Sequence, residues 1–239
     1  SREADSDGKA ESDDRFRALS PARTILAITQ SWFLIAAAVA SGIAINSNTF
    51  YLFSIFLIGS GQHGLAILIH EGAHRLLFRN RRTNDLVAQT LLSWPLFAGF
   101  HNYRQDHLKH HKYLNTGSDP DWNKNRPDQL AEKTSLSSRI LHLLGVEHAL
   151  TTVLNFTASG KNRGETQKVH EGKKRAIYYA IIFSGLCYFG ILDLFLLYWM
   201  IPYFCIFYPL MRFRGIMEHW IPGTNQGAGV RTVILPQWL

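Results

Sequence analysis

The sequence predicts an all-α integral membrane protein: four transmembrane helices in two hairpins, with a cytoplasmic helical cap that carries clustered histidines. Three observations predict it. Charge is segregated, because across Thr24–Ile45, Phe50–Ile69 and Ala176–Met211 the one formal charge is Asp193, in a chain of 25 Lys and Arg and 18 Asp and Glu. Basic residues flank these stretches at one end only. Six of the eleven histidines gather in tight groups close to the ends of the apolar stretches. The mean hydropathy of -0.06 averages this segregation away. The pattern excludes an ordinary soluble enzyme and a disordered chain. A disulfide scaffold is excluded as well, since Cys187 and Cys205 lie inside apolar runs and read as packing residues.

Residues 1–20 are polar and of mixed charge, and read as a disordered tail ahead of a membrane domain over 21–239. Thr24–Ile45, with Gln30 its one strongly polar side chain, is long enough to cross a ~30 Å hydrocarbon layer. Asn46-Ser47-Asn48-Thr49 makes a short polar turn and Phe50–Ile69 runs back. Two spans joined so closely form a helical hairpin, because backbone amides cannot stay unpaired in lipid. Leu86–Phe100 is apolar but short and broken by Pro95, and reads as a segment dipping into the interface. Between Ser135 and Phe156, Ile140, Leu143, Leu144, Leu150 and Leu154 recur at roughly helical spacing, as in an amphipathic helix on a membrane surface. Ala176–Leu192 and Leu194–Met211 form the second hairpin, turning near Asp193, with Pro202 and Pro209 kinking the last helix. No cleavable signal peptide, internal repeat or low-complexity tract is apparent.

Orientation follows from the basic residues. Arg15, Arg17 and Arg23 precede the first span, and Arg75, Arg79, Arg81 and Arg82 follow the second. Lys173, Lys174 and Arg175 precede the third, and Arg212 and Arg214 follow the fourth. The two turns hold no Lys or Arg. Both termini and the 70–175 region are therefore expected in the cytoplasm. This bias accounts for the net charge of +7, and no nucleic-acid partner is called for.

His70 and His74 stand four apart where the second span ends, so a helix places both imidazoles on one face, within reach of a shared metal. His107, His110 and His111 repeat the arrangement at i, i+3 and i+4, and His219 follows the fourth span. Imidazole suits zinc, copper, iron and nickel alike. Six histidines exceed the four-coordinate shell of a single zinc, and no thiolate is near, so two metals in an all-histidine cage fit the count better. Redox-active iron at that place is chemically suited to use O2 against an unactivated C–H bond of a lipid chain. The rival is the HExxH pattern of zinc proteases, met literally by His70-Glu71-Gly72-Ala73-His74. It needs a further ligand, and Asp193, the available carboxylate, lies at the opposite membrane face; it also leaves His107, His110, His111 and His219 without a role. Glu71 and His74 form one Glu-x-x-His, but a carboxylate di-iron bundle needs two.

With these residues in place, the chain resembles the membrane-bound fatty acid desaturase family, marked by three histidine boxes. His70-Glu71-Gly72-Ala73-His74 matches the first, HxxxH, and His107-Leu108-Lys109-His110-His111 the second, HxxHH. Tyr103-Arg104 before the second box and Asp119-Pro120-Asp121 after it match as well. Arg212-Phe213-Arg214-Gly215-Ile216-Met217-Glu218-His219 resembles the segment that supplies an isolated histidine after the last span. The resemblance implies two hairpins with a cytoplasmic cap and two non-haem iron ions held by His70, His74, His107, His110, His111 and His219. It implies O2-dependent removal of two hydrogens from an acyl chain, with electrons from a separate ferredoxin or haem protein acting in trans. The third box is absent, as nothing from Trp220 to Leu239 is a histidine, and the chain begins with Ser. The expectation is a fragment of a longer enzyme, cut before that box and itself inactive.

Asp119 and Asp121 are placed to orient ligand imidazoles by accepting their second N–H, although an Asp-Pro-Asp turn explains them equally. Glu71 and Glu218 each adjoin a ligand and are candidates for the same task. His63 reads as a hydrogen-bonding residue within the second span, and His101 as a possible support for the second box. His142, His148 and His170 read as solvated. The same cage also suits hydroxylation or ketolation of a lipid or carotenoid, and a degenerate, non-catalytic partner subunit is a third class.

Overall fold

The computed structural model describes residues 20–114, 116–120, 135–137 and 165–219. Among the described residues every regular element is helical. The amphipathic segment expected after Ser135 lies outside them apart from residues 135–137, as do residues 1–19 of the expected tail.

Helix α1 (Pro21–Ile45) starts where Ser20 Oγ accepts the Arg23 N–H at 3.3 Å, with proline in its first turn. It stops at Asn46, whose left-handed backbone (φ 47°) returns its N–H to the Gly42 carbonyl. Helix α2 (Asn48–Ala73) begins two residues later, so the turn is Asn46-Ser47 rather than the expected 46–49. α2 is the central element. Half of its most apolar window is buried, against 22% for α1 and for the helix at Leu192–Gly215. Its glycines let neighbours approach closely. A Cβ on Gly61 would stand 2.6 Å from Ile35 Cγ1 of α1, and one on Gly59 would stand 2.4 Å from Ile206 Cβ.

After α2 the chain turns at Arg75 (φ 60°) and enters α3 (Arg81–Val87), which continues as a π-helical stretch over Ala88–Ser93 and a 3-10 turn over Trp94–Leu96. Asn84, fully buried, ties this turn together: its Oδ1 accepts the Leu77 N–H at 3.2 Å and its Nδ2 donates to the Gly72 carbonyl at 2.9 Å. Thr24 Oγ1 donates to the Leu77 carbonyl from α1 at 2.9 Å. Helix α4 (Phe100–Lys112) follows. The 86–100 segment packs one face into the protein, burying Ala88, Leu92, Trp94 and Leu96, and leaves Leu86 and Leu91 exposed.

Aromatic side chains donate to carbonyls of this irregular backbone, including that of Trp94, which also accepts the Phe97 N–H at 3.0 Å. Pro95 has no N–H for the Leu91 carbonyl four residues earlier; Trp32 Nε1 donates to it at 3.2 Å. The carbonyls of Trp94, Pro95 and Leu96 accept from Tyr179 Oη (2.7 Å), Trp199 Nε1 (3.2 Å) and Tyr203 Oη (2.9 Å). These bonds come from three different helices.

Helix α5 (Glu165–Tyr188) ends at Phe189-Gly190, where Gly190 takes φ 63°. The second turn thus precedes Asp193, which sits exposed in the first turn of α6 (Leu192–Phe195), a position favourable for a carboxylate. α6 runs on through π-helical turns at Leu196–Met200 and Tyr203–Phe207 into α7 (Tyr208–His219). Around Pro202 the Leu197 carbonyl accepts from Tyr51 Oη at 2.9 Å and the Trp199 carbonyl from Gln62 Nε2 at 3.1 Å.

Among the described residues three helices are long and apolar enough to cross a membrane: Pro21–Ile45, Asn48–Ala73 and Leu192–Gly215. α5 is not among them, since Lys173, Lys174 and Arg175 occupy its first half and its apolar part begins only at Ala176. Large apolar side chains such as Phe33 (72% exposed) and Ile181 (66% exposed) face outward, the inverse of a soluble fold. Cys187 and Cys205 are free and exposed on the same outer surface rather than packed as expected.

Substituting Gly59→Ala is expected to destabilise the protein by about 1–3 kcal/mol, because the Ile206 Cβ it meets is fixed to backbone. Gly185→Ala, where nothing lies within 4 Å, should leave the melting temperature of the detergent-solubilised protein unchanged or raise it. Equal melting of the two variants would contradict the packing.

Candidate metal centre

His70 occupies the last turn of α2 and His74 its C-cap, so the imidazoles leave one helix end together. α4 packs against that end and supplies His107 and His111, four apart on one face. One ring nitrogen from each of His70, His74, His107 and His111 lies within 4.8 Å of every other. The closest pair, His74 Nε2 and His107 Nε2, is 2.9 Å apart. Ring centroids are 4.3 Å apart for His70 and His107, 4.4 Å for His107 and His111 and 4.9 Å for His74 and His111. Tyr103 stacks on the His107 ring at 5.3 Å with planes 6° apart, holding its orientation from one turn earlier.

The arrangement passes the geometric test for a metal. Nitrogens bound at ~2.0–2.1 Å to one ion stand about 3–4 Å from each other, and the four here, all within 4.8 Å, lie close to that spacing. Its electrostatics agree. Burial, then the neighbouring His70, His111, His74 and His110, hold the His107 imidazole far below its ordinary 6.5, at about 2. It is therefore neutral at physiological pH, the state in which a ring nitrogen offers a lone pair.

His110 is adjacent but apart from the four, its ring 5.7 Å from His111 and 6.4 Å from His107. Its Nδ1–H donates to Asp119 Oδ1 at 2.7 Å, with both side chains almost fully buried. That bond fixes the tautomer and leaves Nε2 with the lone pair. Asp119 is itself placed by a Thr116–Asp119 turn, its N–H on the Thr116 carbonyl at 3.0 Å. Asp121 lies outside the described residues, as do the side chains of Glu218 and His219, whose backbone closes α7.

Glu71 is half-buried outside the cluster, and the charge that acts on it is the Arg214 guanidinium of α7. His63 lies two turns earlier on α2 and is not among the clustered rings. His101 is within 3.4 Å of Gln89 Nε2 and packs on Phe100, away from the cluster. The residues His142 and His148 and the side chain of His170 lie outside the described part. Two supports went unread in the sequence. Asn84 closes the turn beneath the first pair, and Glu171 of α5 accepts backbone N–H groups at the start of α4. The absence of a capping side chain at Gly99 was the one local signal for the second.

Residues 46–239 match the fatty acid desaturase family. The chain is 26% identical over 207 residues to a dihydrorhizobitoxine desaturase of Bradyrhizobium elkanii, covering 80% of this chain and 58% of that protein. It is 26% identical over 179 residues to an sn-1 oleoyl-lipid 12-desaturase of Picosynechococcus, covering 70% and 50%. A beta-carotene 4-ketolase of Haematococcus lacustris is 25% identical over 115 residues, 47% of this chain and 36% of the ketolase. The chain spans about half the length of the two desaturases. A zinc-protease reading of residues 70–74 assigns no place to His107 and His111, which complete the cluster. By the match over most of its length, the chain belongs to the fatty acid desaturase family.

Proposed function

We propose that the complete protein desaturates a fatty acyl chain of a membrane lipid with O2, using two iron ions held by histidines. The single observation that carries this reading is the convergence of His70, His74, His107 and His111 from two helices onto one point. His110, oriented by Asp119, and His219 complete the proposed ligand set. Iron held there supplies the reductive activation of O2 and the oxidising power needed at an unactivated C–H bond.

The protein's own residues account for the conditions of that chemistry. Uncharged imidazoles without a carboxylate among the four give a donor set that stays ligated through a change of metal charge. Burial of His107 and His110 keeps water from competing for the site. Tyr103 and Asp119 lock two rings, so that little reorganisation is left to metal binding. Electrons come from a separate ferredoxin or haem protein. In this reading both termini and the clusters are cytoplasmic, and the apolar part of α5 makes the fourth crossing with Lys173 and Lys174 reaching to the interface. A second reading, hydroxylation or ketolation of a lipid or carotenoid, is favoured by the likeness to a beta-carotene ketolase. Product analysis of the complete protein separates them: a new double bond against a new oxygen atom.

The complete protein is expected to hold up to two irons, and either His107→Ala or His219→Ala should lower the iron measured by plasma mass spectrometry. Iron unchanged by both substitutions would remove these residues from the site. Asp119→Asn should weaken metal binding by about 10–100-fold, read by chelator competition.

Acid should destabilise the metal-free protein in a defined window. The folded His107 resists protonation down to about 2, whereas the unfolded chain takes up the proton below its ordinary 6.5. Stability contributed above 6.5 is thus lost progressively as pH falls from 6.5 toward 2. Between 6.5 and about pH 5 this one imidazole accounts for about 2 kcal/mol. Melting temperatures across that range should fall less steeply in His107→Gln.

A further inference from the structure

Glu171 is a buried carboxylate that the proposed chemistry does not use. It lies on α5, 7% exposed, 71 positions along the chain from the backbone it binds. Its Oε1 accepts the Phe100 N–H at 2.8 Å and its Oε2 the His101 N–H at 3.3 Å. Trp94 Nε1 reaches Oε1 at 3.5 Å. Phe100 and His101 are the first two residues of α4, where N–H groups have no intrahelical acceptor. The N-cap of α4 is Gly99, which has no side chain to serve them. The carboxylate also meets the positive end of the α4 dipole, which compensates the burial of its charge.

Two further contacts bind the same stretch to α5. Tyr179 Oη donates to the Trp94 carbonyl at 2.7 Å. A Cβ added to Gly99 would stand 2.6 Å from Arg175 Nη1, so the guanidinium of α5 lies directly over that glycine. Glu171, Arg175 and Tyr179 recur every four residues, one face of α5 turned to the entry of α4.

We propose that Glu171 is a positioning residue for the histidine cluster. Its carboxylate caps α4 from another helix and fixes the axial register at which His107 and His111 meet His70 and His74, with His110 beside them. The lever is short and stiff, since His107 follows Phe100 by seven residues, about 10 Å of helix. A slip at the cap is carried to all three rings. The capping rests on the hydrogen bonds alone; its consequence for metal rests on the metal-centre reading above.

The test compares native complete protein with Glu171→Ala, the isosteric Glu171→Gln, and Glu171→Ala combined with Gly99→Ser, in detergent. Two readouts are taken: amide hydrogen exchange of the metal-free protein, and Co(II) binding followed by its ligand-field spectrum. Glu171→Ala should speed exchange at the start of α4 by about fivefold while α1 and α2 keep native protection. Its Co(II) affinity should fall by about tenfold with an altered spectrum, and Glu171→Gln, which keeps one acceptor oxygen, should fall between. Gly99→Ser supplies an N-cap hydroxyl within α4 itself, with the flexible Arg175 guanidinium moving clear of the new Cβ it would otherwise meet at 2.6 Å, and should restore both readouts, which recovery of bulk packing alone does not predict. Native exchange at residues 100–104 in Glu171→Ala, or exchange altered with a native Co(II) affinity and spectrum, overturns the proposal. If native protein takes up Co(II) no better than His107→Ala does, the metal-centre reading fails, the positioning role fails with it, and exchange still decides the capping.

Discussion

A backbone carbonyl held away from water must find a donor within the protein, and this requirement shapes the molecule more than any other. The histidine-bearing helices are joined by a stretch that cannot be a plain helix, since Pro95 interrupts it and π-helical turns displace its bonds. Such backbone is tolerable in an apolar setting only when side chains complete it. Trp32, Tyr179, Trp199 and Tyr203 do so from three helices. Because each donor is fixed to a long helix, satisfying the carbonyls also clamps the connecting segment. α4 is then presented to the end of α2 from a rigid platform.

Upon that platform the cluster is assembled from helix periodicity and charge. The i, i+4 pairs of α2 and α4 face one another, and burial keeps His107 neutral, so that its ring can offer a lone pair to a shared ion. His110 stands one step around α4 and is served by a different partner, Asp119. Membership of the fatty acid desaturase family gives this arrangement a chemical context, and the four imidazoles form a group that could hold an ion.

What was legible in the sequence was local. Apolar runs without charge located α1 and α2 to within a few residues, and spacing alone predicted which imidazoles share a face. The pairing of His110 with Asp119 was within reach because the two lie nine positions apart on either side of a turn. The bond from Glu171 to Phe100 joins distant positions and leaves no local pattern. α5 misled for a physical reason: one helix carries both a polar docking face and an apolar half, so a hydropathy boundary at Ala176 is not a helix boundary. Pro95 pointed to broken structure, yet nothing nearby revealed that aromatic donors from remote helices would bury it.

The turn closed by Asn84 has a consequence for how this scaffold tolerates change. One amide group reads the Gly72 carbonyl beneath the first histidine pair and the Leu77 N–H of the return path, so the number of residues between those points acts as a ruler. Lengthening it by a single residue would rotate one bonding partner out of reach and set the end of α2 adrift. Loop insertions, ordinarily among the gentlest edits to a protein, should here be confined to other connections.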